Sequence, residues 1–557
     1  MRGQAVFAIV DLRGPDDEQL LQLQRNGAGV LHGLEVGDHG LENFRAMGNG
    51  AKHVRHVAAL ALVVVVNFAD CGGDIVAAEA RQVGFVHVAI FSNLCVAVFP
   101  LRCTVPWEEI GKLEAMIDAV VVGAGLSGLA CARELHAKNF SVLVLEASDG
   151  TGGRVRTDAS GGFLLDRGFQ VLLTAYSEAQ RQLDFGKLEL RNFEPGALVR
   201  HGRKFHHVSD PFRRPSQALG TLLDSTLTVR DKYEVARLRM TLAGLAPEKL
   251  FRGEQEDTLN FLRRRGFSER GIQRFFVPFF GGVFSDTSLR ASNRFFKYLF
   301  QCFSAGDTAV PAHGMQAIPA QMTAGLPHLR VLLNSMATRV QKIAPAKYAV
   351  DTAMRQTVET RSVVIATDAT AAQRLLAPFG ADAKQSTAVA WNGVTTLYYA
   401  APKAPVEERL ILLNGEGSSG GPINHAAVMT NLAAAYAPAG AHLICANVPG
   451  KAPQNESERA SLEQDVRTQL RRWFGQQLGQ WEVVGGYFLP QAVPLQRYAE
   501  WEQGPVSVKT VAKGRSKKDE GQEIFICGDY CETASIQGAL VSGRRTAEAV
   551  AAMLQRG

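Results

Sequence analysis

What this 557-residue sequence lacks excludes several functional classes. It has eight cysteines, and none of them forms a C-x-x-C pair. The spacing therefore predicts no metal site and no disulfide framework, and it favours a reducing compartment. The net charge is only +6, and the basic clusters at 263–265 and 513–518 have no interleaved aromatic residues. We therefore expect no nucleic-acid partner.

Long hydrophobic runs are also missing. The longest apolar run, residues 57–66, is too short to span a bilayer. The start of the chain lacks the ordered regions of a signal peptide, and early acids such as Asp11 and Asp16 argue against a transit peptide. We expect a cytoplasmic protein, or a plastid protein if the source is photosynthetic.

The composition that remains is that of a globular protein. Hydrophobic residues make up 46% of the chain and charged residues 20%. The length allows two or three domains, each with its own core.

The most informative segment is a glycine-rich turn between two apolar runs. Residues 119–122 read as a buried parallel strand, and Gly123, Gly125 and Gly128 follow in G-x-G-x-x-G spacing before a helix-forming run. A second apolar run, 141–145, ends in Glu146. This order predicts a βαβ unit that places a pyrophosphate at a helix N-terminus and a carboxylate beside a ribose.

A second glycine motif indicates which dinucleotide is bound. Gly152 and Gly153 follow the second strand directly, and Arg154 comes next, where its guanidinium could bind the pyrophosphate in a bidentate manner. The stretch resembles the GG-R motif of the superfamily of FAD-dependent amine oxidases and phytoene desaturases.

Near the C-terminus the resemblance continues. A strand at 523–527 ends in Gly528 and Asp529, and residues 534–543 open a last helix. In the family, this aspartate bonds the ribityl or pyrophosphate part of FAD, and the helix directs its N-terminus at the flavin ring. Residues 166–170 also resemble the family's D-x-G-x-Q turn.

The resemblance covers about residues 116–555 and implies an α/β fold. In that fold, of amine oxidase and GDP-dissociation-inhibitor type, a Rossmann-like FAD-binding domain is interleaved with an α+β substrate domain. The FAD-binding domain would comprise 116–200, 305–380 and 495–557, and the substrate domain 200–305 and 380–495. Segments such as 274–284 and 487–494 are similar to a bacterial and plant branch of uncertain substrate.

The resemblance also implies the cofactor, one FAD. No cysteine lies between Cys445 and Cys527, where some amine oxidases attach flavin through a thioether, so we expect noncovalent binding. The predicted cofactor-binding residues are Gly123, Gly125, Leu126, Ser127, Gly128, Glu146, Gly152, Gly153, Arg154, Gly528, Asp529, Ser535, Gln537, Gly538 and Ala539.

No catalytic residue can be named from the sequence. The segment 391–396 has no lysine where some amine oxidases hold one near flavin N5, and no paired tyrosine cage is evident around Tyr530. Isolated histidines such as His313 and His425 are more often structural than catalytic. His313, in the segment 311–319 that resembles a family motif, would be tested first.

Three functions remain open. The first is an FAD-dependent desaturase or dehydrogenase, which removes a hydride or two electrons from a small, lipophilic substrate. The second is an amine oxidase that produces peroxide, and the third is a non-enzymatic protein that binds prenylated GTPases. Twelve of the 29 phenylalanines lie between residues 251 and 303, and a pocket lined by Phe279, Phe280 and Phe284 would favour the first. The electron acceptor stays open between O2 and a quinone, and peripheral membrane contact is compatible with such a substrate.

Residues 1–115 resemble no part of the family. Met116 stands directly before the first strand of the predicted βαβ unit, where a family member would begin. We expect this N-terminal extension to result from a misassigned start codon; the alternative is an accessory domain.

Overall fold

The computed structural model describes residues 5–11, 60–67, 87–91, 94–100 and 117–556, apart from 215–219, 221–222, 327–329, 380–388, 451, 497–505 and 510–522. The basic cluster at 513–518, Met116 and most of the N-terminal extension lie outside these residues. The chain divides into two compact units, Met1–Lys112 and Leu113–Gly557.

The strands are numbered in chain order. They are β1 Ala5–Asp11, β2 Leu60–Asn67, β3 His87–Phe91, β4 Leu94–Pro100, β5 Ile117–Val122, β6 Val142–Leu145, β7 Thr157–Ser160, β8 Phe163–Asp166, β9 Leu172–Leu173, β10 Leu190–Asn192, β11 Gly196–His201, β12 Lys204–Ser209, β13 Thr308–Pro311, β14 Val331–Leu332, β15 Ala337–Ala344, β16 Lys347–Thr352, β17 Thr357–Ile365, β18 Trp391–Ala401, β19 Ile411–Asn414, β20 His425–Val428, β21 His442–Pro449, β22 Glu482–Pro494, β23 Val506–Lys509 and β24 Glu523–Ile526.

The α-helices of four or more residues are numbered in the same way. They are α1 Leu126–Ala137, α2 Ser177–Gln182, α3 Val229–Leu242, α4 Pro247–Leu250, α5 Thr258–Arg265, α6 Val277–Phe284, α7 Asn293–Ala305, α8 Ala317–Ala324, α9 Ala369–Leu376, α10 Met429–Leu432, α11 Glu456–Phe474 and α12 Ile536–Leu554.

The first unit contains one described sheet. Its four strands run antiparallel in the order β1-β2-β4-β3.

The second unit is built around an eight-stranded mixed sheet. The central strands pair in parallel in the order β14-β6-β5-β17, and β24 also joins β17 in parallel. Ala119, Val120 and Val121 of β5 are fully buried, as expected for a parallel strand covered on both faces. Helix α1 connects β5 to β6, and α12 packs against it so closely that a Cβ at Gly543 would lie 2.2 Å from the Ser127 carbonyl oxygen.

A second sheet holds seven strands in the order β12-β11-β19-β20-β21-β18-β22. Its pairs are antiparallel except β11 with β19. Helix α11 covers it through the buried residues Val466, Leu470 and Trp473, which pack with Tyr399 and Ile444 of the sheet. Residues 391–400 are rich in β-branched and aromatic side chains, which favour a strand, and they form β18. Apolar residues recur with helical periodicity at 455–478, and this segment contains α11.

Aromatic helices form a third layer. A π-helical turn, Ile272–Phe276, leads into α6, and α6 packs on α7 through phenylalanine contacts such as Phe280 with Phe296 at 4.6 Å between ring centroids. The long helix α3 begins at Val229. Thr228 fixes that start through a capping box with Asp231.

Candidate functional site

A large cavity extends through the second unit. Its volume is about 1450 Å³, above the roughly 300–1,000 Å³ of ordinary ligand pockets. Residues of the two glycine motifs and the Gly528-Asp529 turn line one part, and residues of α3, α6 and α7 line another. The volume suffices for a dinucleotide and a second molecule.

The first glycine turn leaves backbone groups open to the cavity. Gly123 has φ 108°, and Gly128 lies so close to it that a Cβ there would be 2.0 Å from the Gly123 carbonyl oxygen. Gly125, in contrast, would place a Cβ in open space, and it lines the cavity with Leu126 and Ser127. No side chain caps the first turn of α1. An anionic group can therefore reach its backbone N–H groups.

Glu146 lies at the end of β6 and also lines the cavity. Its carboxylate accepts hydrogen bonds from the backbone N–H of Ala124 at 2.7 Å, the N–H of Ser148 at 2.9 Å and the Ser148 hydroxyl at 2.7 Å. These bonds fix its orientation. Each carboxylate oxygen has two lone pairs, so one acceptor position, on Oε2, remains for a ribose hydroxyl.

The second glycine motif packs on the first. The N–H of Gly152 donates to the Ala124 carbonyl at 2.8 Å, and a Cβ at Gly153 would lie 3.3 Å from the Cα of Gly125. Gly152 has φ 115° and Gly153 has φ 60°, conformations that favour glycine. All four predicted glycines at 123, 125, 152 and 153 line the cavity.

Arg154 joins the two distant ends of the site. Its Nη2 lies 2.5 Å from Oδ1 of Asp529, and its Nη1 donates to the Ala492 carbonyl at 2.8 Å. The guanidinium also lies over the Trp391 ring, 5.5 Å from the centroid. The structure thus brings together the predicted residues Arg154 and Asp529, which are 375 positions apart.

The remaining predicted cofactor-binding residues divide into those that line the cavity and those that do not. Gly528, Asp529, Ser535 and Ala539 line the cavity, whereas Gly128, Gln537 and Gly538 do not.

The side chain of Gln537 faces α2. Its amide accepts from the Glu178 N–H at 3.0 Å and lies 3.2 Å from the Ser177 hydroxyl. At Gly538, a Cβ would lie 1.9 Å from the Thr533 carbonyl oxygen. These residues therefore shape the site through packing.

Asp166 organises the turn at 166–170. Its buried carboxylate accepts bonds from Thr157 at 2.6 Å, the Met315 N–H at 2.9 Å and Tyr436 at 2.8 Å. Burial raises the pKa of Asp166, although the three donors favour the charged form. The carboxylate itself does not line the cavity, but residues 167–170 do.

The far part of the cavity has an aromatic wall. Phe279 contacts Phe303 and Phe280 with ring centroids 5.0 and 5.1 Å apart. Phe284 is different: it is 3% exposed, packs between Phe280 and Phe295, and does not line the cavity, so the prediction was wrong for it. The aromatic lining residues are Phe169, Tyr176, Phe193, Phe212, Tyr233, Phe275, Phe279, Phe280, Phe300 and Phe303.

His425, for which the sequence favours a structural role, lines the cavity. Asn424 donates to the Pro278 carbonyl at 2.7 Å, and its amide nitrogen also lies 3.1 Å from Nδ1 of His425. The Asn447 amide lies 2.8 Å from Nε2. Burial lowers the pKa of His425 to about 4, so the ring is neutral. His313, by contrast, is an exposed side chain outside the cavity lining, 4.0 Å from Glu189.

One cluster of metal-ligating atoms exists in the part of the chain that the structure describes. His201, His206 and Asp224 bring such atoms within 4.8 Å of one another. The two imidazole rings stack 3.6 Å apart and nearly parallel, and one nitrogen of each already contacts a protein group: Thr226 at 3.2 Å from His201 and Asp224 at 2.8 Å from His206. We assign no metal there. None of the helices within the described ranges has the length and hydropathy to cross a membrane.

Relatives with known names match short stretches of this chain. Protoporphyrinogen oxidase 2, chloroplastic/mitochondrial, of Arabidopsis thaliana is 27% identical over 163 residues, covering 29% of this chain and 32% of its own length. Polyamine oxidase 4 of Oryza sativa subsp. japonica is 33% identical over 130 residues, covering 21% and 27%. The chain thus spans about a third or less of the length of these relatives.

Solved structures match over a much larger share. An oxidoreductase from Methanosarcina mazei has a TM-score of 0.60 at 17% identity, covering 78% of this chain and all of its own. Cyclohexylamine oxidase from Brevibacterium oxydans has a TM-score of 0.55 at 17% identity, covering 79% of this chain and all of its own. These similarities establish the fold and confirm the predicted α/β class.

A family model described as flavin-containing amine oxidoreductase matches residues 126–551, well over half of the chain. This match confirms FAD as the cofactor and an oxidoreductase as the class of enzyme, and it favours the enzymatic hypotheses over the GTPase-binding one. The cavity fits that cofactor, because open backbone at Gly125, an oriented carboxylate at Glu146 and the Arg154–Asp529 pair lie along one wall. The protein therefore belongs to the flavin-containing amine oxidoreductase family.

Proposed function

We propose that the protein removes a hydride, or two electrons, from a lipophilic substrate, in the manner of a desaturase or dehydrogenase. The observation that carries this proposal is the aromatic wall, which contains eight phenylalanines. Such a wall stabilises a bound ligand by roughly 25 cal/mol for each Å² of apolar surface removed from water. Bound flavin supplies the two-electron acceptor, and the chain supplies orientation and exclusion of water.

The carboxylates that line this part of the cavity are already paired. Glu194 lies 2.8 Å from Arg214, and Asp210 lies 2.5 Å from Arg239. An ammonium group would have to compete with these arginines or stay poorly solvated. This pairing favours an uncharged substrate over a simple amine.

His425 contributes shape and not proton transfer. Both ring nitrogens are engaged by asparagine amides, and its low pKa disfavours acceptance of a proton. Its ring contacts Phe169 edge to face at 5.1 Å, so it continues the aromatic wall. Substrate would then be oriented by apolar contact, with no ion pair to His425.

Anaerobic titration of the FAD-loaded protein tests the proposal. Long polyenes and prenyl compounds should perturb or bleach the flavin absorbance at lower concentration than benzylamine or polyamines. Rapid bleaching by simple amines, with no response to the apolar compounds, would contradict the proposal and indicate a peroxide-producing amine oxidase. Reoxidation of the reduced protein by O2 and by a soluble quinone then identifies the electron acceptor.

A further inference from the structure

Exposed apolar side chains are concentrated in two short regions. Ten large hydrophobic side chains are exposed in the described part of the chain: five lie between residues 212 and 240, and four others, 38% to 64% exposed, lie between residues 333 and 354. The first five are 53% to 81% exposed: Phe212, Leu223, Val229, Tyr233 and Met240. We call these five the α3 surface. Scattered exposed apolar residues need no explanation, but a contiguous group marks an interaction site.

The α3 surface is contiguous in space. The guanidinium of Arg239, on α3, lies over the Phe212 ring, 4.7 Å from its centroid. Lys232, also on α3, donates to the carbonyl oxygen of Asp224, the residue after Leu223, at 2.7 Å. Phe212 and Leu223 therefore belong to segments that contact the helix carrying Val229, Tyr233 and Met240.

The outer face of α3 combines apolar and cationic residues without acids. Its exposed positions include Val229, Arg230, Tyr233, Arg237 and Met240, at spacings of one, three and four residues. Both acids of the helix are buried. Asp231 forms the capping box, and Glu234 pairs with Arg237 at 2.9 Å.

The segment around the α3 surface is basic. Residues 201–244 hold eight lysines and arginines and four acids, a net charge of +4, while the whole chain carries +6. The two other acids are engaged within the protein: Asp210 with Arg239 at 2.5 Å and Asp224 with His206 at 2.8 Å. Two cations of the segment also pair with acids outside it, Arg213 with Asp307 and Arg214 with Glu194. With these two acids included, the net charge around the α3 surface is +2.

This surface borders the opening of the cavity. Phe212, Val229 and Tyr233 line the cavity and are also more than half exposed. A residue with both properties stands at the entrance. A molecule that leaves an apolar phase in contact with the α3 surface would enter along aromatic side chains.

We propose that the α3 surface docks on an anionic lipid bilayer, so that a lipophilic substrate passes from the lipid into the cavity. The delivery step rests on the proposed function; the docking does not. A helix lying in the plane of the interface buries apolar residues among the acyl chains and gains further from cations near anionic headgroups. Tyrosine is a residue typical of that boundary. The positive charge favours this occupant over a second copy of the same basic surface, which would be repelled.

Vesicle flotation of the FAD-loaded full chain tests the docking without any substrate. Vesicles of phosphatidylcholine with phosphatidylglycerol should carry the protein upward in a density gradient, and vesicles of phosphatidylcholine alone should carry much less. The variant Leu223→Ser/Met240→Ser changes two exposed residues outside the cavity lining. Its affinity for the anionic vesicles should fall at least about tenfold.

The matched control is Ile343→Ser/Met354→Ser, which removes two exposed apolar side chains from the eight-stranded sheet side of the molecule. It should bind vesicles like the unmodified protein. Melting temperature and bound flavin verify that both variants fold. No flotation, equal loss in both variants, or a concentration-dependent dimer that Leu223→Ser/Met240→Ser abolishes would each overturn the docking proposal. Failure of the proposed function is seen separately, in the flavin titration with detergent-dispersed apolar ligands.

Discussion

At the scale of single residues, the predicted contact of Glu146 with FAD can be tested by substitution. Glu146→Gln keeps the side-chain shape, but its NH2 group would face N–H donors now satisfied by the carboxylate. Charge-assisted hydrogen bonds are worth roughly 1.5–3 kcal/mol, so FAD affinity should fall between tenfold and about a hundredfold. Reconstitution of flavin-free protein with FAD, followed by fluorescence quenching, measures this change.

The control for this variant is Glu359→Gln, which alters an exposed carboxylate of β17 that pairs with Lys347 of β16. It should leave FAD affinity unchanged. Equal affinities for all three proteins would show that Glu146 does not contact the ribose.

His425 gives a prediction of pH dependence. Its pKa in the folded protein is about 4, against an ordinary value of 6.5. Between these pH values the ring is protonated in the unfolded chain and neutral in the folded chain. Stability from the neutral ring is complete above about pH 6.5 and falls as the pH drops toward 4. The difference corresponds to about 3 kcal/mol.

Urea unfolding at pH 7.5 and pH 4.5 tests whether the free energy of unfolding falls with pH as predicted. The unmodified protein should lose about 2 to 3 kcal/mol more between the two pH values than His425→Gln, which cannot titrate. Other titrating groups, such as His201, cancel in the comparison. Identical losses would mean that His425 is protonated in the folded protein.

At the scale of elements, some phenylalanines of the aromatic helices pack in the core and others line the cavity. Phe276 is fully buried, outside the cavity lining, and contacts Phe267 at 4.7 Å between centroids, whereas the half-buried Phe279 lines the cavity. Phe276→Ala should lower the free energy of unfolding by about 3–5 kcal/mol and leave apolar-ligand affinity nearly unchanged.

Phe279→Ala should show the opposite balance. Its smaller loss of stability should accompany a roughly tenfold weaker flavin response to apolar ligands, because part of the wall is removed. Denaturant unfolding and spectral titration of both variants provide the two readings. If Phe276→Ala weakens ligand binding as much as Phe279→Ala, the wall cannot be divided into core and lining in this way.

Local signals explain which elements the sequence predicts well. The dinucleotide unit is encoded within about thirty residues, and the predicted strands at 119–122 and 141–145 correspond to β5 and β6 within two residues. The network around His425 is different, since Asn447 and Pro278 reach it from other segments. Phe284 was misplaced for the same reason: a run of phenylalanines does not reveal which rings face a cavity. Pairings of this kind depend on sheet order, which no local pattern specifies.

At the scale of the whole molecule, the described residues that line the cavity lie between Val122 and Ala539, within the unit Leu113–Gly557. We therefore predict that a truncated chain beginning at Met116 is soluble, binds FAD and melts at the same temperature as the full chain. Differential scanning fluorimetry and the flavin content after purification measure this. Loss of solubility or of flavin would show that the N-terminal extension supports the fold.

The contact between Arg154 and Asp529 has a consequence for how the protein matures. The first half of the dinucleotide site leaves the ribosome early, but its partner carboxylate and the helix α12 that packs on α1 are made several hundred residues later. A nascent chain can therefore form the βαβ unit without closing the site. Stable capture of flavin should be a late event, after synthesis is nearly finished, and a chain interrupted before residue 529 should fail to retain the cofactor however well its first strands have folded.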